Sequence, residues 1–105
     1  MKIILTGPKG VGKSTVGKKI AELLHIPLFE TDEIIESLFE EKHTSKKSCR
    51  EIAREFGEAF FRDLEKEAIA KAALLDWCVI ATGGGAMLFP ENRIALRKES
   101  IFVLL

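Results

Sequence analysis

The segment 7–15, with the sequence GPKGVGKST, constrains the fold of this chain more than any other segment. It follows the apolar run 3–5 and precedes apolar residues at helical spacing. The pattern G-x-x-x-x-G-K-[ST] between a strand and a helix is typical of a loop whose backbone N–H groups bind phosphate oxygens. The alternative is a glycine-rich turn that only joins strand to helix, and the flanking elements argue against it.

The positions of this phosphate loop have distinct predicted roles. Gly7 and Gly12 allow backbone angles and close approaches that a Cβ would block. Lys13 would place a positive charge on the terminal phosphates, and the Ser14 hydroxyl would bind Mg²⁺. The predicted nucleotide-binding residues are Gly7, Pro8, Lys9, Gly10, Val11, Gly12, Lys13, Ser14 and Thr15.

The bulk composition excludes several classes of protein. The 105 residues predict one domain, and 47% hydrophobic with 30% charged residues is ordinary for a soluble globular protein. Sixteen basic and sixteen acidic residues cancel, which argues against a nucleic-acid partner or an anionic membrane surface. The apolar runs are too short to span a bilayer. Cys49 and Cys78 lack metal or redox spacing, so we expect free thiols in the cytoplasm. His25 and His43 are predicted to be ordinary surface or boundary residues.

Strands and helices alternate along the chain. The predicted strands are 2–6, 28–30, 77–81 and 101–105, and the predicted helices are 13–24, 32–41, a short helix after Ser48, 58–75 and 90–98. Thr31 is the expected N-cap of the second helix, and residues 42–47 are expected to form a loop. A capping box at Ser48 and Glu51 would open the short helix, which Gly57 would close. Apolar strands joined by helices are typical of an α/β fold with a parallel sheet covered on both faces.

The last predicted strand, 101–105, is apolar throughout and has no helix after it to cover it. Folded proteins normally avoid an exposed apolar edge. We therefore expect a single domain over 1–105 that is incomplete at its C-terminus. The alternative is a naturally minimal domain whose edge is covered by a partner chain or by a second copy.

Two carboxylates follow the second predicted strand. Glu30 and Asp32 lie at its carboxyl end, where ligands bind in open α/β sheets. A carboxylate there can hold Mg²⁺ through water or accept a hydrogen bond from a substrate hydroxyl. The alternative is that Asp32 only caps a helix and Glu30 is solvated.

Two further features have the chemistry of a substrate site. Glu58, Arg62 and Glu65 share one helix face, so the two carboxylates could hold the guanidinium for a substrate carboxylate. A surface row of ion pairs is the commoner explanation of such spacing. The triplet Gly83, Gly84 and Gly85 follows the third strand and exposes amides that could donate to a ligand, although it could equally be a flexible turn.

Taken together, these segments resemble the shikimate kinase family, and the similarity runs from residue 3 to residue 105. The matching pieces are GPKGVGKST at 7–15, ETDEIIE at 30–36, GEAFFRDLE at 57–65 and ATGGGA at 81–86. The resemblance implies a P-loop NTPase-type fold with a parallel sheet in the order 2-3-1-4. It also implies transfer of the γ-phosphoryl group of ATP to the 3-hydroxyl of shikimate, in aromatic amino-acid biosynthesis.

The resemblance implies a role for each matching residue. Lys13 and Asp32 would be catalytic, the lysine on the transferring charge and the aspartate on the attacking hydroxyl. Arg62 would pair with the shikimate carboxylate, and Glu65 would support the site. The glycines Gly83, Gly84 and Gly85 would line the substrate pocket. Ser14, and Glu30 through water, would hold Mg²⁺, so ATP and Mg²⁺ are the implied cofactors.

The chain departs from the family pattern in two respects. Glu30 stands where the family usually has aspartate, one methylene shorter. The family continues into a lid with a phosphate-binding arginine, a second carboxylate-binding arginine, a fifth strand and an adenine-contacting loop. We therefore expect weak or absent turnover from residues 1–105 alone. The alternative functions are a kinase for another small hydroxy acid, and a non-catalytic nucleotide-binding module or half of a split kinase.

Overall fold

The structure of the chain is a computed structural model that describes residues 1–8 and 10–105. The predicted phosphate-loop residue Lys9 lies outside the described residues. The elements are, in chain order, β1 (Lys2–Thr6), α1 (Lys13–Leu24), β2 (Leu28–Glu30), α2 (Thr31–His43), α3 (Cys49–Phe56), α4 (Glu58–Ala73), β3 (Cys78–Ala81), a 3₁₀ turn (Ala86–Leu88), α5 (Pro90–Leu96) and β4 (Ser100–Leu104).

The four strands form one parallel sheet in the order β2-β3-β1-β4, which confirms the predicted topology. β1 lies at the centre, where Ile4 pairs with Ile80 of β3 on one side and with Phe102 of β4 on the other. Because the strands are parallel, their carboxyl ends meet at the same edge of the sheet. The phosphate loop, the start of α2 and the glycine triplet all follow strands at that edge.

Helices cover both faces of the sheet, as the apolar strands predict. Neighbouring residues of a strand point to opposite faces. Ile4 packs into a buried cluster with Ile69 of α4 and Leu96 of α5. Its neighbour Leu5 faces α1, where a Cβ on Gly17 would lie 3.3 Å from the Leu5 Cδ1 atom.

A second buried cluster joins the helices α2, α3 and α4 beside the sheet. Its members are Ile35, Leu38, Phe39, Ile52, Leu64 and Ala68. Since α4 supplies residues to this cluster and to the cluster on the sheet, it fixes α2 and α3 relative to the strands. The capping box at the start of α3 is present as predicted, with the Ser48 hydroxyl accepting from the Glu51 N–H and the Glu51 carboxylate accepting from the Ser48 N–H.

The prediction that Thr31 is the N-cap of α2 is wrong. Glu30 occupies that position without a capping side-chain hydrogen bond, and Thr31 is the first helical residue. The Thr31 hydroxyl instead accepts a hydrogen bond from the Gly83 N–H at 2.9 Å. The helix also runs to His43, beyond the predicted end at Glu41, because the His43 ring stacks on the Phe39 ring with centroids 4.4 Å apart.

Other predicted boundaries differ by one or two residues. Helix α4 ends at Ala73 and α5 at Leu96, and β3 begins at Cys78 because Trp77 has a left-handed backbone with φ of 48°. The 3₁₀ turn after the glycine triplet has no counterpart in the sequence prediction. In the part of the chain that the structure describes, no helix is long and apolar enough to cross a membrane.

Strand β4 lies at one edge of the sheet and carries exposed apolar side chains. Ile101 is 50% exposed, Phe102 39% and Leu104 79%. The strand therefore pairs with β1 along one side while much of its apolar surface remains in contact with water.

Gly7, the residue after β1, lies against the backbone at the end of β4. Its φ is 140°, and a Cβ there would lie 2.8 Å from the Leu105 carbonyl oxygen, which is a backbone atom. Leu105 in turn donates its N–H to the Thr6 carbonyl at 2.9 Å. A side chain at position 7 would therefore push the two strands apart.

We expect Gly7→Ala to lower the free energy of unfolding by about 1–3 kcal/mol more than Gly10→Ala does. Gly10 is the matched control, since its φ is also positive, at 89°, but among the described residues beyond its chain neighbours no atom lies within 4 Å of its Cβ position. Urea unfolding followed by circular dichroism measures both values. An equal decrease in the free energy of unfolding for the two variants would show that the close approach of Gly7 to Leu105 does not affect stability.

Candidate active site

A cavity of about 510 Å³ opens at the carboxyl edge of the sheet. Its lining consists of Gly10, Gly12, Lys13, Ser14, Thr15, Glu30, Asp32, Cys49, Phe61, Arg62, Glu65, Ala81, Thr82, Gly83, Gly84 and Gly85. The structure thus brings the phosphate loop, the two carboxylates, the arginine and the glycine triplet to one cavity. Segments that are separated by up to 75 positions in the sequence share it because their strands are parallel neighbours.

The phosphate loop presents a positive end to this cavity. Gly12, with φ of 88°, is the N-cap of α1, and the first turn of that helix has neither a capping side-chain hydrogen bond nor an acidic residue. The Lys13 ammonium group folds over the loop and donates to the carbonyls of Gly7 at 2.6 Å and Pro8 at 2.9 Å. A helix N-terminus beside an ammonium group favours a bound anion, and phosphate fits this geometry.

Three predicted loop residues lie outside the lining of the cavity. Gly7 packs against Leu105, and Pro8 contributes its carbonyl to Lys13. The Val11 side chain is 40% exposed. These residues shape the loop rather than line the cavity.

The two predicted metal-binding residues are in direct contact. The Ser14 hydroxyl donates a hydrogen bond to a carboxylate oxygen of Glu30, which joins α1 to the end of β2. Hydroxyl and carboxylate oxygens suit Mg²⁺, which keeps several waters and binds few protein groups when it accompanies phosphates. Within the described residues no three His, Cys, Asp or Glu side chains form a metal-binding group. The donor set therefore fits a magnesium ion that depends on phosphates and water for its remaining ligands.

Glu33, one turn along α2, also interacts with this pair. A hydrogen bond with Glu30, together with burial and the charge of Glu30, raises the pKa of the Glu33 carboxyl group. The shift in the pKa of Glu33 reflects the negative charge of its neighbours Glu30 and Glu36. Such a local excess of negative charge favours a cation at the Ser14–Glu30 contact.

Hydrogen bonds connect the start of the glycine triplet to β1 on one side and to the first residue of α2 on the other. Thr82 donates its N–H and its hydroxyl to the Leu5 carbonyl at 3.1 and 2.9 Å, and the Gly83 N–H donates to Thr31. A Cβ on Gly83 would lie 2.6 Å from the Asp32 Oδ1 atom. The absence of a side chain at position 83 thus allows the Asp32 carboxylate to lie against the loop.

Arg62 is held by two carboxylates of its own helix. Its Nε atom donates to Glu58 and its Nη1 atom to Glu65, each at 2.8 Å. The Glu58 side chain is 69% exposed, whereas that of Glu65 is 2% exposed. A Cβ on Gly85 would lie 2.8 Å from the Arg62 Nη2 atom, so this edge of the guanidinium faces the glycine triplet. The row is therefore more than a surface ion-pair network, because one carboxylate is buried and the arginine lines the cavity.

The electrostatics of this pair follow from burial. Burial raises the pKa of the Glu65 carboxyl group, and the nearby Arg62 guanidinium only partly offsets that effect. For the Arg62 guanidinium, burial alone would lower the pKa, but hydrogen bonds and charges from Glu65 and Glu58 raise it overall. The arginine thus stays charged, whereas ionisation of the buried Glu65 carboxyl group lowers the free energy of unfolding.

Several residues that line the cavity are not among those predicted from the sequence. Cys49 lines the cavity, its thiol donating to the Asp32 carbonyl at 3.5 Å and its N–H to a Glu36 carboxylate oxygen at 3.0 Å. Burial, followed by the charges of Asp32 and Glu36, raises the pKa of the Cys49 thiol, so the thiol is neutral at pH 7. Phe61, beside Arg62 in the sequence, also lines the cavity. Only the position of Cys49 at the start of the capped helix α3 could have indicated it.

Glu65 gives the site a testable pH dependence. Because the pKa of Glu65 is raised in the folded chain, ionisation of this carboxyl group opposes folding. The free energy of unfolding of the wild type, relative to that of Glu65→Gln, should therefore fall as pH rises above the ordinary glutamate pKa of about 4.3. Below that pH the carboxyl group is protonated in both states and the difference is constant. Urea unfolding of both proteins between pH 4 and 8 measures the trend. Glu67→Gln, at an exposed residue of the same helix, is the control, and a wild-type stability that rises with pH relative to Glu65→Gln would contradict the assignment.

Comparisons with known proteins agree with this geometry. The family model described as shikimate kinase matches residues 9–105. A shikimate kinase of Caldanaerobacter subterraneus subsp. tengcongensis is 46% identical over 103 residues, which cover 98% of this chain and 57% of that protein. A bifunctional shikimate kinase/3-dehydroquinate synthase of Thermotoga maritima is 42% identical, over 99% of this chain and 20% of that protein.

Solved structures give the same result. The shikimate kinase of Bacteroides thetaiotaomicron superposes with a TM-score of 0.87 at 37% identity, covering 100% of this chain and 56% of that one. The shikimate kinase of Acinetobacter baumannii, solved in complex with shikimate, superposes with a TM-score of 0.85 at 36% identity. The match covers 99% of this chain and 55% of that one. The chain therefore spans a little over half the length of these single-function relatives.

Proposed function

The chain belongs to the shikimate kinase family, and we propose that its site supports transfer of the γ-phosphoryl group of ATP to the 3-hydroxyl of shikimate. One observation carries this proposal. The cavity of about 510 Å³ holds a phosphate loop, a carboxylate and a fixed guanidinium side by side. A phosphoryl donor and a carboxylate-bearing acceptor could therefore bind next to each other, which is what a reaction governed by positioning requires.

The donor half of the site consists of the phosphate loop and the start of α1. The loop residues that line the cavity would surround the phosphates: Gly10, Gly12, Lys13, Ser14 and Thr15. Lys13 would move from the loop carbonyls towards the transferring charge. Ser14 and Glu30 would hold Mg²⁺, which supplies neutralisation of phosphate charge when bound. The support for these roles is the uncapped positive helix end and the Ser14–Glu30 contact.

The acceptor half consists of α2, α4 and the glycine triplet. Arg62 would bind the shikimate carboxylate, because Glu58 and Glu65 hold its guanidinium in a fixed orientation at the cavity wall. Asp32 would accept a hydrogen bond from the attacking hydroxyl and take up its proton. Gly83, Gly84 and Gly85 would line the space for the ring, and Glu65 would support Arg62 from its buried side.

Isothermal titration with MgADP and then with shikimate tests the proposal. We expect both ligands to bind the wild-type chain, and we expect Arg62→Ala to weaken shikimate binding about 10- to 100-fold, since a charged hydrogen-bonded pair is lost. MgADP binding should not change. Arg54→Ala is the matched control, because Arg54 is an exposed arginine of the neighbouring helix α3.

The remaining outcomes separate the alternative functions. Binding of MgADP without shikimate would indicate a nucleotide-binding module. Binding of another hydroxy acid in a screen, with the same dependence on Arg62, would indicate a different acceptor. Shikimate binding that is unaffected by Arg62→Ala would contradict the role of this arginine.

We also propose that the apolar surface of β4 is covered through association, with a second copy or with a partner chain. The support is the exposure of Ile101, Phe102 and Leu104 on an edge strand, since such edges favour pairing with another chain.

Light scattering over a range of protein concentrations should therefore detect self-association, and Leu104→Lys should weaken it. A charge on the strand face must be desolvated when the edge is covered, which disfavours the complex. Leu74→Lys is the matched control, because Leu74 is 87% exposed but lies at the end of α4. A monomeric mass at every concentration would contradict association between copies.

A further inference from the structure

We propose that Phe89 is a positioning residue for the Arg62 guanidinium, a role that rests on the proposed function of Arg62 in acceptor binding. The Arg62 Cζ atom lies over the Phe89 ring at 5.0 Å from its centroid and over the Phe61 ring at 5.4 Å. Both distances are within the range of cation–π attraction. The guanidinium is therefore held by two aromatic rings as well as by two carboxylates.

The two kinds of contact restrain different motions of the guanidinium. Glu58 and Glu65 bind the Nε and Nη1 atoms, and these hydrogen bonds fix the direction of the planar group. The Arg62 Cζ atom also lies over the rings of Phe61 and Phe89, and these apolar surfaces would limit the access of water to the guanidinium. A guanidinium is weakly hydrated and stacks on aromatic rings, so both restraints are compatible.

The backbone around Phe89 holds its ring in place. Phe89 is the N-cap of α5 with an extended backbone, φ −93° and ψ 119°, as expected before Pro90. Its carbonyl accepts from the N–H groups of Asn92 at 3.0 Å and Arg93 at 3.3 Å. The buried Asn92 side chain donates to the Ala86 carbonyl at 3.0 Å, which ties α5 to the turn after the glycine triplet.

Phe89 is thus connected to both parts of the acceptor site. It contacts Arg62, and it follows the glycine triplet through the short 3₁₀ turn. Arg62, Phe61 and Gly85 line the cavity, whereas Phe89, which the structure also describes, lies outside its lining. The ring therefore acts through Arg62 and does not touch the acceptor itself.

The consequence is a stronger bond from Arg62 to a carboxylate. Shielding by the rings reduces the water around the guanidinium, and a lower local dielectric strengthens attraction to a bound anion. Holding the group in one orientation also reduces the entropy lost on binding. Position 89 should for this reason affect acceptor affinity without affecting nucleotide affinity.

The test compares Phe89→Leu, which keeps an apolar side chain but removes the ring, with Phe89→Tyr, which keeps the ring. We expect Phe89→Leu to raise the shikimate dissociation constant about 3- to 30-fold and Phe89→Tyr to stay close to wild type. Titration of MgADP should give the wild-type value for both. Leu88→Ser is the matched control, because Leu88 is the preceding residue and is 78% exposed.

A second readout does not depend on shikimate. Phenylglyoxal modifies accessible arginines, and mass spectrometry of the peptide that contains Arg62 gives its rate of modification. We expect Phe89→Leu to increase this rate about twofold or more, because one ring no longer covers the guanidinium. Phe89→Tyr and Leu88→Ser should leave the rate unchanged.

The outcomes distinguish failure of this inference from failure of the proposed function. Wild-type shikimate affinity and an unchanged Arg62 rate in Phe89→Leu would overturn the role of Phe89. A parallel loss of MgADP and shikimate binding, without rescue in Phe89→Tyr, would show a general structural role and overturn it as well. If the wild-type chain binds MgADP but not shikimate, the proposed function fails, and the modification rate alone decides whether Phe89 covers Arg62.

Discussion

Parallel pairing of β1 with β3 and β4 is the constraint on which the other features of this structure depend. The register aligns Leu5 with Ala81 and Thr6 with Leu104, so the strands end at nearly the same level. Three of the strands lead into segments with different chemical properties: a positive helix end after β1, carboxylates at the end of β2 and the start of α2, and a glycine triplet after β3. An antiparallel neighbour would carry its following loop to the opposite edge and leave the cavity incomplete.

Helix α4 connects this sheet edge to the core. One side of the helix places Ile69 and Ala72 against the strands, and another places Leu64 and Ala68 against α2 and α3. Its first two turns carry the Arg62 group into the cavity wall. The site is therefore rigid where its parent helix is buried on two sides, and side chains held by rigid elements bind ligands with a smaller entropic cost.

Charge is divided between the two halves of the cavity. The phosphate loop has an ammonium group and a helix N-terminus, which suit a polyanion, while the side formed by α2 and α4 has Asp32, Glu65 and Arg62. The neutral Cys49 thiol, which donates to the Asp32 backbone carbonyl, adds no charge. Among the described residues, Arg62 is the arginine that lines the cavity, and in the proposed function its orientation would determine where a carboxylate binds.

The sequence alone predicted the strands, the topology that the family resemblance implies, and the residues of the cavity that belong to local patterns. The phosphate loop, the Ser48 capping box and the spacing of Arg62 with Glu65 are local features, because their residues lie within one loop or one or two turns of a helix. Periodicity and capping preferences operate at that range, so the sequence contains the information directly.

Only the tertiary structure decided which distant groups meet. The Thr31 hydroxyl accepts a hydrogen bond from the Gly83 N–H, 52 positions away, and does not cap its own helix. The Ser14–Glu30 contact, the place of Cys49 in the cavity and the Phe89 ring beside Arg62 are of the same kind. A hydroxyl, a thiol or an aromatic ring has several partners available to it, and local sequence does not select among them. The parallel packing of strands and the burial of α4 make that selection, because they determine which side chains come within contact distance.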